Sequence, residues 1–152
     1  MGTLQSRTLF RRLCFAVVVP VSLLTQISLS QNVWAQSQRI EDPALLTHGQ
    51  QLFQTNCASC HGNQAQGLVE DWKTPDDEGK FPAPPLNGTA HTWHHPISVL
   101  ANIIQNGTIN MGGSMPAWKG QLSEDDTFAI IIWLTSLWPD EIYDAWMERN
   151  NQ

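Results

Sequence analysis

The chain has 152 residues, with 8 Lys+Arg against 14 Asp+Glu, a net charge of −6, and 3 cysteines. That length suits one domain rather than two, and the acidic balance excludes the basic surface a nucleic-acid binder needs. Three of the basic residues precede residue 36 and no acid does, so residues 36–152 hold five basic and fourteen acidic residues, a net charge of −9.

Arg7, Arg11 and Arg12 stand just before an apolar run, Leu13 to Leu24, followed by the more polar Thr25 to Gln31 and then Val33-Trp34-Ala35. A basic start, a short apolar stretch and small residues at the exit describe a secretory leader over 1–35, cut between Ala35 and Gln36. A membrane span needs about 20 apolar residues, and Pro20, Ser22, Thr25 and Gln26 interrupt or end this one; an uncleaved anchor is the alternative reading. The expected location is periplasmic or otherwise exported, with membrane association only if the leader stays. Cys14 opens the apolar run rather than following it, a poor place for lipidation.

After a short extension over 36–43, Glu41 to Asn56 reads as a helix. Asp42 is placed to cap it, Pro43 suits its first position, and Leu45, Leu46, Gly49, Leu52 and Phe53 recur at helical spacing. Residues 62–95 have no long periodic run and are rich in Gly, Pro, Asn and acids, so they read as ordered loop. So long an irregular stretch in a small domain usually wraps something. Pro96 to Asn106 forms a second helix, stopped by Gly107, with Val99, Leu100, Ile103 and Ile104 on its buried side. A loop follows to Gln121. Ser123 then caps a helix reaching Trp138, with Glu124, Asp125 and Asp126 in the turn where the helix dipole favours negative charge. Pro139 breaks it. A last short helix, Asp140 to Arg149, carries Ile142, Tyr143, Trp146 and Met147 as one stripe, within a C-terminal segment over 139–152. No strand alternation is present, and the fold class is all-α.

Cys57-Ala58-Ser59-Cys60-His61 matches the haem c attachment pattern. Two thiols three residues apart can each add to one of the haem's vinyl groups, and the next residue emerges under the porphyrin, where its imidazole reaches the iron. Two rivals use the same residues. A C-x-x-C pair serves thiol–disulfide exchange, usually within a βαβ pattern that is absent here. Alternatively, Cys57 and Cys60 join histidines such as His91, His94 and His95 around zinc, although no second C-x-x-C follows. For a second axial ligand, Met115 lies in Gly112-Gly113-Ser114-Met115-Pro116, a flexible approach closed by a rigid residue. Met111 is the competitor, and the general preference for a soft thioether does not separate the two.

These residues resemble the class I c-type cytochromes, specifically the small mono-haem bacterial group related to cytochrome subunits of haem–copper oxidases. The resemblance spans 44–138. It rests on Gly49 and Phe53 ahead of Cys57-Ala58-Ser59-Cys60-His61-Gly62, then Pro84-Pro85-Leu86, then Met115-Pro116-Ala117-Trp118, and the helix from Leu122-Ser123-Glu124 to Leu137. It implies a cytochrome c-like fold around one covalent haem c, with Gly49 meeting Trp133 where the first and last helices cross. It also implies that the Pro84 carbonyl accepts from His61 Nδ1, that Leu86 packs on the haem, and that Met115 is the distal ligand. The implied function is one-electron transfer by Fe(II)/Fe(III) cycling, not enzymatic turnover, with redox proteins such as a dehydrogenase or oxidase as partners. Two alternatives stay open: a haem enzyme or gas-binding protein with an open sixth site, and a subunit that works only within a larger oxidase or dehydrogenase. The chain departs from the family pattern in the long acidic stretch between His61 and Pro84 and in His91-Thr92-Trp93-His94-His95-Pro96. That block reads as a structured loop, with Trp93 covering the haem edge or bonding a propionate; its histidines as a second metal site are the sharper alternative.

Overall fold

The computed structural model describes residues 39–150, so the expected leader and its cleavage point lie outside the described residues. Helix α1 spans Pro43–Asn56. Asp42 starts it: its carboxylate accepts from the backbone N–H groups of Ala44 and Leu45 at 2.9 and 3.0 Å, with Pro43 at the first position. A single helical turn, α2 (Ala58–His61), follows directly. Helix α3 covers Ile97–Asn106, α4 Glu124–Ser136 and α5 Asp140–Asn150. The described residues contain no strand, only an isolated bridge between Lys119 and Leu122. The all-α expectation holds.

The crossing of α1 and α4 organises the core. Gly49 faces the α4 backbone so closely that a Cβ there would overlap the Ala129 carbonyl oxygen and lie 3.0 Å from Trp133 Cβ. One turn later, Phe53 packs its ring on Trp133, with centroids 4.7 Å apart. The close approach of Gly49 and Trp133 expected from the resemblance is present. Phe53, Ile130, Trp133 and Leu134 are all buried in this cluster, and each side chain of that size contributes about 1.5–3 kcal/mol by leaving water. A reciprocal cap starts α4: Ser123 Oγ accepts from the Asp126 N–H at 3.0 Å, and Asp126 Oδ2 accepts from the Ser123 N–H at 3.1 Å. The same carboxylate pairs with His48 on α1 at 2.8 Å.

A second cluster joins Ile131, Trp138, Tyr143 and Trp146 to Trp93, Ile97, Leu100, Ala101 and Ile104. Here one sequence expectation needs correction. Val99 is not on the buried side of α3 but 38% exposed, while Ile97 and Ala101 face the cluster with Leu100 and Ile104. The apolar residues of α3 cover more than half its circumference, so the pattern fixed the helix without fixing its rotation. The packing of α3 on α4 decides that. The α4 helix also ends two residues before Trp138, its last turn tightening as the N–H groups of Leu137 and Trp138 donate to Leu134 and Thr135. Arg39 closes this junction, donating to the Thr135 carbonyl at 2.6 Å, the Trp138 carbonyl at 2.7 Å and Asp140 at 3.0 Å, with its guanidinium over the Tyr143 ring. A cation at the carbonyl end of a helix is favourable.

Candidate functional site

The end of α1 delivers the cysteine motif. Cys57 N–H donates to Phe53, and His61 N–H donates to the Cys57 carbonyl at 2.9 Å, so both cysteines and His61 occupy one helical turn. Residues three and four apart on a helix are surface neighbours. Both thiols are free, Cys57 half-buried against the α1–α4 core and Cys60 exposed. Burial, and then the charge of Cys60, push the Cys57 thiol up to about 11. A disulfide-exchange site needs the opposite, a cysteine whose pKa is depressed so that thiolate forms at neutral pH. With no βαβ unit among the described residues either, the exchange reading loses its support.

Beyond His61 the backbone reverses. The Gly67 N–H donates to the His61 carbonyl at 2.7 Å, and the returning strand of loop is fastened by the Leu86 N–H to the Ala65 carbonyl at 2.7 Å. Gly67, at φ +77°, sits against the Pro85 ring, where a side chain would crowd it. These contacts bring the Pro84 carbonyl to 2.9 Å from His61 Nδ1. A carbonyl only accepts, so Nδ1 carries the proton and the lone pair is on Nε2. Burial lowers the imidazole pKa, opposed in part by that hydrogen bond. The ring is therefore neutral near pH 7 and locked in one tautomer, the form in which histidine ligates a metal. Leu86 packs at the edge of the cluster that receives Cys57.

Met115 lies half-buried in the loop between α3 and α4, whereas Met111 is 66% exposed at the end of a single 3₁₀ turn, Ile109–Met111. The loop is docked on the end of α3: Trp118 and Lys119 N–H groups donate to the carbonyls of Ile104 and Gln105 at 3.1 and 2.9 Å. Those carbonyls would otherwise lack helical partners. The Ser114 hydroxyl donates to the Phe81 carbonyl at 3.4 Å. The segment Phe81–Pro84 thus touches the methionine loop at one end and His61 at the other.

Trp93 belongs to a 3₁₀ turn, Thr92–His94, and packs in the second cluster rather than beside Cys57 and Leu86. Its neighbours are held by α5, since Trp146 Nε1 donates to the His95 carbonyl at 2.8 Å. His91 stacks on Trp72, 5.1 Å between centroids, and meets His95 edge-on. Among the described residues no three or more His, Cys, Asp or Glu side chains are grouped to hold a metal ion. Neither the zinc reading of Cys57 and Cys60 nor a second site at His91, His94 and His95 finds a ligand set. Sequence reasoning missed Thr108 and Gln105, which fasten the methionine loop; only their position beside the helix-stopping Gly107 hinted at it.

The donor set fits haem c. It offers two free thiols three residues apart on one turn and an adjacent neutral imidazole with Nε2 open. A thioether follows in a loop tied to the same Phe81–Pro84 segment. Comparison with known proteins agrees. Residues 44–134 match the family described as cytochrome C oxidase, cbb3-type, subunit III. The chain is 36% identical over 103 residues to the cbb3-type cytochrome c oxidase subunit CcoP of Rhodobacter capsulatus, covering 63% of this chain and 30% of that protein. It is 32% identical over 105 residues to subunit FixPc of Rhizobium leguminosarum bv. viciae, covering 69% and 32%. Cytochrome c6 of Gracilaria tenuistipitata var. liui is 23% identical over 95 residues, 62% of this chain and 75% of that one. The chain therefore spans about a third of the length of these cbb3-type relatives. No solved structure matches it significantly. The chain belongs to the cbb3-type subunit III family of cytochrome c oxidase, and is a c-type cytochrome with covalently bound haem c.

Proposed function

We propose that the protein is an exported one-electron carrier in which Cys57 and Cys60 hold haem c and His61 and Met115 are its axial ligands. When bound, haem c supplies one-electron chemistry between ferrous and ferric iron. Each thiol would add across a vinyl double bond, its hydrogen going to one carbon and its sulfur to the other, with no net oxidation. The observation that carries the reading is the His61 Nδ1 to Pro84 carbonyl bond of 2.9 Å, which aims a basic Nε2 lone pair away from its own backbone. Pro84 fixes the ring, and Leu86 supplies an apolar wall beside Cys57. Met115 offers a neutral thioether, which raises the reduction potential relative to two nitrogen ligands.

The partner is a redox protein, and the net charge of −9 over residues 36–152 suits one that presents a basic docking patch. Complementary charge of this kind mainly accelerates encounter. Relatives named as cbb3-type oxidase subunits support a place within, or delivering electrons to, such a complex. The alternative of an open, gas-binding sixth site is tested with the same variants. The oxidised protein is expected to show a sulfur-to-iron charge-transfer band that Met115→Ala abolishes and Met111→Ala preserves, with slow carbon monoxide binding in the reduced wild type. Loss of the band in Met111→Ala alone reassigns the ligand. Rapid carbon monoxide binding to the wild type, with no band, overturns the carrier reading.

A further inference from the structure

A methionine side chain has three rotatable bonds and adapts readily to its surroundings, so a thioether ligand stays in place only if its backbone is fixed. One residue does most of that fixing. The Thr108 N–H donates to the Met115 carbonyl at 2.9 Å, and Thr108 Oγ1 accepts from the Met115 N–H at 3.1 Å. The Thr108 carbonyl accepts from the N–H groups of both Met111 and Gly113 at 2.9 Å. Every polar backbone and side-chain group of Thr108 is thus turned toward the loop that ends in Met115. Its surroundings are built to the same fit. A Cβ on Gly113 would overlap Thr108 Oγ1, and one on Gly107, at φ +67°, would come within 2.6 Å of the Met115 carbonyl oxygen and 2.7 Å of the Ala117 nitrogen. Gln105 joins the two ends of this loop, donating from Nε2 to the Leu122 carbonyl at 3.3 Å and to Thr127 Oγ1.

We propose that Thr108 is the positioning residue of the distal ligand: its hydroxyl holds the Met115 backbone so that the thioether competes successfully with any external ligand. This rests on Met115 being that ligand. The contribution is local to the loop rather than to the helical core, because none of the Thr108 hydrogen bonds reaches α1 or α4. It therefore separates from global stability.

The test uses the oxidised holoprotein titrated with imidazole, with the charge-transfer band, far-ultraviolet circular dichroism and Met115 amide exchange as readouts. Thr108→Val keeps the shape but leaves the Met115 N–H without its acceptor. Losing one such bond shifts the ligand-on equilibrium roughly tenfold. Imidazole affinity should rise by that factor, the band should weaken and the Met115 amide should exchange faster, with helix content unchanged. Thr108→Ser restores the acceptor and should return all three to near wild type. Gly113→Ala, which displaces the hydroxyl from the other side, should act as Thr108→Val does and serves if the valine variant fails to fold. Wild-type imidazole affinity and band in both Thr108→Val and Gly113→Ala overturn the inference while leaving the ligand assignment intact. Retention of the band in Met115→Ala overturns both.

Discussion

Replacing Gly49 by alanine adds one methyl group where the structure has no room for it. The new carbon would overlap the Ala129 carbonyl oxygen and stand 2.6 Å from its carbonyl carbon, about 0.8 Å inside ordinary contact. The obstructing atoms are backbone atoms of α4, buried on both sides and hydrogen-bonded in the helix, so no rotamer change relieves the clash. The helices must separate, and that loosens Phe53 from Trp133 and Ile130 around the same crossing. Overpacking a tight core costs about 1–3 kcal/mol where side chains adjust, and rigid backbone puts this case at the upper end, about 3 kcal/mol or more. Against a typical total of about 5–15 kcal/mol, that is a large fraction. Urea unfolding followed by far-ultraviolet circular dichroism, on preparations of equal haem content, measures it. A midpoint within error of wild type would refute the reasoning, because it would mean the crossing is looser than these distances allow.

Further outcomes follow from the same structure. Arg39→Met should lower stability by about 1–3 kcal/mol through loss of its bonds to the Thr135 and Trp138 carbonyls, with faster amide exchange in α5 than in α1 as the distinguishing sign. Asp126 is held below the usual carboxylate range by the Ser123 hydroxyl first and by His48 next. A depressed folded pKa adds stability above the unfolded value of about 3.9 and loses it as pH falls through the folded value. Asp126→Asn should therefore be less stable than wild type at neutral pH and converge on it in acid, as a series of thermal melts would reveal; a constant gap at all pH values contradicts this. Ser123→Ala removes the α4 cap and should cost about 1 kcal/mol in the same assay, without changing the spectrum of the haem.

Local signals carried much of the fold in the sequence. Asp42-Pro43 and Ser123 with its three following acids mark helix starts by chemistry acting within one turn, and both helices begin there. Gly107 ends α3 because it takes a positive φ that other residues resist. What was not legible depends on partners far away in the chain. The rotation of α3, which leaves Val99 open, follows from its packing on α4, and the His91–His95 turn is held by Trp146, 51 residues distant. Arg39 likewise reads as one charge in an extension, and nothing local points it at carbonyls nearly a hundred residues on. Within the site, the cysteine spacing announced its chemistry, while the loop geometry behind Met115 required a threonine hydroxyl whose target is seven residues away.

The most direct test of the central claim is the intact mass of the purified chain together with its pyridine haemochrome spectrum, repeated for Cys57→Ala and Cys60→Ala. Both cysteines bonding to the porphyrin predicts the mass of one haem beyond the polypeptide, resistant to acid extraction. It also predicts the spectrum of a doubly saturated porphyrin in the wild type and of a singly saturated one in each variant. A colourless product of bare polypeptide mass, or haem that acid extracts unchanged from the wild type, would contradict it.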